Sequence, residues 1–127
     1  MCGIAGILSA NPNLVFTSRI RAGISSLEHR GPDAEGQYME ENIAMAHMRL
    51  SIIDLSDNAS QPFVYMERYH LIYNGEIYNY RELRSELQKK NFQFRTISDT
   101  EVLVINNGST GLEQNRRFQL IIDHNSA

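Results

Sequence analysis

Met1-Cys2-Gly3-Ile4-Ala5-Gly6-Ile7-Leu8 opens the chain. Residues 3–8 are small, apolar and uncharged, which predicts a buried β-strand. Gly3 and Gly6 lack the G-x-G-x-x-G spacing of a phosphate-binding loop, and they sit inside the strand rather than at a helix start. Cys2 stands directly before this strand and is the single cysteine of the 127 residues. No intrachain disulfide is possible, and the expected compartment is reducing and cytoplasmic. The thiol has two readings. It is an inert buried side chain, or, once Met1 is removed, a nucleophile beside its own α-amine. That amine titrates near ~8 and a thiol near ~8.5, so the amine can take the thiol proton and return it to a leaving group.

Working outward, Asn11-Pro12-Asn13 breaks the strand. A short helix follows, capped by Thr17 or Ser18, with Ile20, Ile24 and Leu27 on one face; His29-Arg30-Gly31-Pro32-Asp33 ends it. Strands are predicted at 36–39, 43–47 and 69–73, with an extended apolar run at 49–55 and a polar loop at 56–62. Asn74-Gly75 is a strong turn dipeptide. Residues 80–90 predict a helix capped by Asn79 with Glu82 in the reciprocal position, and Leu83 and Leu87 on its inner face. Residues 92–95 alternate as a strand does. Ser98-Asp99-Thr100-Glu101 is a capping box that starts another helix, expected to stop at 106–109 after about two turns. Residues 120–122 read as a last strand. Short strands, hairpin turns and a few helices point to an α+β fold with antiparallel sheet rather than a βαβ nucleotide-binding fold.

The bulk numbers exclude several classes. A net charge of −3 with 42% hydrophobic residues gives no electrostatic reason to expect nucleic acid or an anionic membrane as partner. No apolar run reaches the roughly 18 residues of a membrane helix, and the N-terminus lacks the basic region of a signal peptide. Cys2, His29, His47, His70 and His124 are scattered singly, so no metal site is expected.

Five segments in order, Met1-Cys2-Gly3-Ile4-Ala5-Gly6, His29-Arg30-Gly31-Pro32-Asp33, Arg49-Leu50-Ser51-Ile52-Ile53-Asp54, Asn74-Gly75-Glu76-Ile77-Tyr78-Asn79 and Ser98-Asp99-Thr100-Glu101-Val102, resemble the class II, N-terminal-nucleophile glutamine amidotransferases. The Arg49–Asp54 run, Gln61-Pro62 and Ile77-Tyr78-Asn79-Tyr80 resemble the asparagine synthetase type in particular. The resemblance implies a partial αββα sandwich of antiparallel sheets, the N-terminal nucleophile hydrolase fold. It implies that Cys2 attacks the side-chain amide of L-glutamine, forming a glutamyl thioester and releasing ammonia. It also implies that Asn74, by its side chain, and Gly75, by its backbone N–H, form the oxyanion hole.

By the same resemblance Arg49 holds the substrate α-carboxylate as a guanidinium fork can, Glu76 and Asp99 face its α-ammonium, and the backbone from Leu50 through Ser51, Ile52 and Ile53 lies along the substrate. Each residue also has an ordinary meaning. Asn74-Gly75 is a hairpin turn, Arg49 a surface arginine, and Asp99 a carboxylate favoured in the first turn of a helix.

The resemblance implies an incomplete type-2 glutamine amidotransferase domain over 1–127, with motifs in 1–105 and a divergent 106–127. The ATP-dependent synthetase domain is expected to be absent, since its Ser-Gly-Gly loop does not occur. No cofactor is then expected in this chain, because ATP and magnesium belong to that domain. A synthetase domain or second chain is the expected macromolecular partner. Two further readings stand beside the glutaminase: a non-catalytic remnant that binds glutamine or a partner chain, and an amidotransferase serving another biosynthetic pathway.

Overall fold

The computed structural model describes residues 2–51, 55–110 and 119–123. Its elements are β1 (Gly3–Leu8), α1 (Thr17–Ser25), β2 (Ala34–Glu40), β3 (Ile43–Arg49), β4 (Phe63–Tyr65), β5 (Tyr69–Tyr73), α2 (Tyr80–Lys89), α3 (Asp99–Thr110) and β6 (Gln119–Asp123). Two antiparallel three-stranded sheets result, in the orders β1-β3-β2 and β4-β5-β6. The α+β class with antiparallel sheets is as expected.

Strand alternation sets the layers. Ala44, Ala46 and Met48 of β3 turn to one side and bury Ile20 and Ile24 of α1. Ile43 and Met45 turn the other way and meet Ile72 of β5. Tyr38 of β2 stacks on His70 of β5 across the same interface, with centroids 3.9 Å apart. Leu71 and Tyr73 face outward from β5 and join Leu87 of α2 and Val102–Ile105 of α3 in the largest cluster. The order is therefore helix, sheet, sheet, helices.

Local chemistry explains where the structure departs from expectation. Helix α1 is capped by Phe16 rather than by Thr17 or Ser18, with no side-chain cap bond. Asn79 likewise makes no side-chain cap; its backbone carbonyl accepts from Leu83 N–H at 3.2 Å. At its other end α2 closes with Asn91 at φ 68°, Phe92 N–H bonding Leu87 O at 3.1 Å and Asn91 N–H bonding Gln88 O at 3.0 Å, a left-handed C-terminal lock. Strand β4 was not anticipated. Its hairpin with β5 turns through Met66 and Glu67, both at φ 54°, residues that carry no turn signal.

Residues 92–95 are not a strand. Phe92 and Phe94 pack on the core, but the Arg95 and Thr96 N–H groups go to the Glu101 carboxylate instead of a ladder. Helix α3 runs through Asn106-Asn107-Gly108 rather than stopping there. Val102, Leu103, Val104 and Ile105 are all nearly inaccessible, and Asn107 is buried as well. Such packing outweighs the cost of about 1 kcal/mol for a helical glycine. Arg49 ends β3, so the extended run expected at 49–55 leaves the sheet at Leu50 and Ser51, and residues 52–54 lie outside those described.

Candidate active site

One cavity of about 580 Å³ opens where the ends of β1 and β3 meet the turn after β5 and the start of α3. Cys2, Arg49, Leu50 and Ser51 line it from the first sheet, Asn74, Gly75 and Glu76 from the turn, and Asp99 from α3. These are all the expected site residues among those described; Ile52 and Ile53 are not.

The antiparallel pairing of β1 with β3 puts Gly3 opposite Met48, which brings Cys2 beside the chain leaving β3. The Cys2 thiol lies on the backbone of Leu50. Leu50 N–H donates to Sγ at 3.3 Å, and Sγ–H points at Leu50 O at 3.6 Å. Arg30 Nε donates to Cys2 O at 3.3 Å, which ties down the first peptide. Asp33 accepts from Ser51 N–H at 2.7 Å and fixes the next residue along. Arg30 and Asp33 of the His29–Asp33 motif thus hold the chain on both sides of the thiol, Arg30 as a wall residue itself.

Arg49 is buried to 8% exposure at the end of β3. Its Nη1 donates to Ser56 O at 2.9 Å and Ser60 Oγ at 3.4 Å. A guanidinium carries five donors in a planar fork. Across the cavity, Asp99 is also buried. Burial pushes its carboxyl above the usual range; backbone N–H groups, first Ile77, pull it back, and the nearby Glu76 charge raises it further. Cationic Arg49 and the acidic residues Asp99 and Glu76 line the same cavity, the two signs of charge that a zwitterion carries.

Gly75 can be nothing larger at this spot. A Cβ there would lie 2.5 Å from the Tyr73 hydroxyl and 2.6 Å from Cζ of the same ring. The turn is thus folded tightly back on Tyr73, and its backbone faces the cavity without a side chain in the way.

Two wall residues were given no role at the site from the sequence. His47 faces the space between the sheets with no exposure, and neither ring nitrogen has a hydrogen-bond partner among the described residues. Burial lowers it to about 4, the Tyr73 backbone offsetting a part of this and Arg49 adding to it. Its strand position on the inner face was the available signal. Gln61 also lines the cavity. Among the described residues no group of three or more His, Cys, Asp or Glu is placed to hold a metal ion, and no helix is long and apolar enough to cross a membrane.

Residues 1–120 match the glutamine amidotransferase domain family. The chain belongs to this family. It is 44% identical to asparagine synthetase [glutamine-hydrolyzing] 1 of Bacillus subtilis over 108 residues, covering 82% of this chain and 17% of that protein. It is 40% identical to asparagine synthetase B [glutamine-hydrolyzing] of Escherichia coli over 106 residues, covering 82% and 19%. An amidase of Penicillium rubens is 37% identical over 116 residues, covering 82% and 17%. The chain is a glutamine amidotransferase domain of the asparagine synthetase type, and it spans less than a fifth of the length of these relatives. The amidotransferase domain accordingly provides a thiol, a glycine turn and opposed charges around one cavity.

Proposed function

We propose that this amidotransferase domain hydrolyses L-glutamine through Cys2. The α-amine of Cys2, freed by removal of Met1, takes the thiol proton. The thiolate adds to the side-chain amide carbon, and the resulting oxyanion is held by the Asn74 side chain and the Gly75 N–H. Collapse of the adduct breaks the C–N bond. The proton held on the α-amine goes to the leaving nitrogen, which departs as ammonia. Water then cleaves the glutamyl thioester, leaving glutamate and the free thiol. Arg49 receives the substrate α-carboxylate, Asp99 and Glu76 its α-ammonium, and the backbone from Leu50 onward lies along it. The fold in this reading is the αββα sandwich of N-terminal nucleophile hydrolases. The ammonia goes to a synthetase domain or second chain, which would hold ATP and magnesium.

The observation that most supports the reading is the placement of the Cys2 thiol on Leu50, in the same cavity as the Asn74-Gly75 turn, buried Arg49 and Asp99. Cys2→Ala should abolish ammonia release while leaving the thermal melt unchanged. A form that retains Met1 should be nearly inactive, because its amine is not on the cysteine. Ammonia release by Cys2→Ala at the parent rate would remove Cys2 from the chemistry. A non-catalytic, glutamine-binding domain would show binding in calorimetry with no ammonia from the parent.

A further inference from the structure

We propose that Gln61 is a positioning residue for this reaction, tying the strand end that carries the Asn74-Gly75 turn to the helix start that carries Asp99. The inference rests on the glutaminase reading above. Gln61 Oε1 accepts from Tyr73 N–H at 2.6 Å, and Nε2 donates to Thr100 Oγ1 at 3.4 Å. Tyr73 immediately precedes Asn74, and Thr100 immediately follows Asp99.

The register explains why a side chain does this work. Strand β4 pairs with β5 as Phe63 with Leu71, Val64 with His70 and Tyr65 with Tyr69. Continuing that register sets Gln61 opposite Tyr73, but β4 begins only at Phe63, after Pro62. Proline has no N–H to extend a ladder. The Gln61 side-chain carbonyl accepts the Tyr73 N–H where a strand carbonyl would have done so. Its own amide is then directed at α3, a link no ladder would make.

The backbone of Gln61 is anchored separately. A Cβ added at Gly36 of β2 would lie 1.8 Å from Gln61 O, so β2 is packed directly on this peptide. Gln61 therefore joins the edge of the first sheet, the end of β5 and the first turn of α3. The far end of the turn is pinned from the same helix: Ile77 N–H donates to Asp99 Oδ2 at 3.1 Å. Residues 74–76 hang between two held amides, those of Tyr73 and Ile77. Oxyanion donors act only where they are held, and an error of about 1 Å can cost about a hundredfold in rate.

The test compares the full chain with Gln61→Leu, Gln61→Glu and Thr100→Val. Gln61→Leu removes both bonds at similar volume. It should lower kcat for glutamine hydrolysis by about tenfold to a hundredfold and weaken a glutamine aldehyde analogue, whose adduct with Cys2 carries the oxyanion, by the same factor. Binding of glutamine itself, measured in the Cys2→Ala background, should fall by a smaller factor than kcat. Gln61→Glu keeps an acceptor for Tyr73 N–H, and the Thr100 hydroxyl can turn to donate to it, so most of kcat should return. Thr100→Val breaks only the second bond and should cost less than Gln61→Leu. Amide hydrogen exchange at Tyr73 and Gly75 should quicken in Gln61→Leu and not in Gln61→Glu.

Unchanged exchange at Tyr73 in a folded Gln61→Leu chain would overturn the clamp. So would a rise in KM at constant kcat, which would make Gln61 a substrate contact instead. If Gln61→Leu does not fold, Thr100→Val decides by the kinetic readout: lower kcat at unchanged KM supports the clamp, and an unchanged kcat or a rise in KM alone overturns it. A parent chain that releases no ammonia would sink the glutaminase reading, and the exchange measurement would still decide the clamp.

Discussion

Cys2, Arg49, Leu50 and Ser51 reach the cavity from the paired ends of β1 and β3, whereas Asn74, Gly75 and Glu76 reach it from a turn after β5. The two sides are held differently. On the first, a continuous antiparallel ladder places the residues, and the polar side chain behind them, His47, is buried with neither nitrogen hydrogen-bonded among the described residues. On the second, the β4 ladder stops at Leu71, short of the turn, and side chains from residues 61 and 99 take its end amides. Glu101 does the same one turn further on, accepting from Arg95 N–H, Thr96 N–H and the Thr96 hydroxyl. The contrast teaches where each side is vulnerable. Changes to the buried side chains behind the ladder should show as lost stability, and changes to the pinned turn as lost rate.

With the thiol left in place, the largest effect should come from the pinned side. Asn74 is half-buried in the turn, away from the apolar clusters. Asn74→Ala should lower kcat for glutamine hydrolysis by about two to three orders of magnitude, as for loss of one oxyanion donor, with the melting temperature nearly unchanged. A variant that instead loses stability and keeps its rate would erase the contrast between the two sides.

On the ladder side the expected effect is on stability and depends on pH. Burial lowers His47 from 6.5 to about 4. The unfolded chain takes up this proton near pH 6.5 and the folded one only near 4. The folded state therefore has this group's full contribution above about pH 6.5 and loses it as the pH falls toward 4. The loss approaches about 3 kcal/mol, by the rule of about 1.4 kcal/mol per pH unit. Urea midpoints measured between pH 7 and 4.5 should fall steeply for the parent and less steeply for His47→Leu. Equal slopes for both chains would show that another group governs the acid limb.

Much of this arrangement was legible in the sequence because the decisive residues come in short ordered words. The words at Cys2, Arg49–Ser51, Asn74–Glu76 and Asp99 name side chains that the fold brings to one cavity, although they are up to 97 positions apart, counted as 99 minus 2. The strands at 3–8 and 69–73 were legible from apolar runs bounded by turn residues. Strand β4 was not, because its hairpin turns through Met66 and Glu67 in a left-handed conformation their residue types disfavour. The length of α3 was not, because burial of Val102–Ile105 carries it past an Asn-Asn-Gly sequence that would end an isolated helix. His47 and Gln61 stayed hidden for a different reason. A single polar residue on a strand or in a loop shows no partner until the second sheet is placed against it.

The smallest predicted effect separates two helix starts that look alike in sequence. Asn79 with Glu82 and Ser98 with Glu101 both read as capping boxes. Only the second has a working cap: Ser98 Oγ accepts from Thr100 N–H at 3.1 Å, while Asn79 makes no side-chain cap bond. Even there the box is not reciprocal, because Glu101 reaches back past Ser98 to residues 95 and 96. Ser98 is also buried and itself donates its N–H to Thr96 Oγ1 at 3.2 Å, so the cap, Thr96 and Glu101 form one chain of bonds. Ser98→Ala should cost about 1 kcal/mol, and Asn79→Ala no more than a few tenths. The first should also weaken glutamine binding, since the turn it loosens carries Asp99; the second should not. Denaturant unfolding of both variants, with calorimetry of glutamine binding, checks this. Equal costs would mean that the helix propensity of the replacement, rather than the cap bond, decides both sites. A Ser98→Ala chain that is destabilised yet binds glutamine as the parent does would detach Asp99 from the ligand and leave it only the task of holding Ile77.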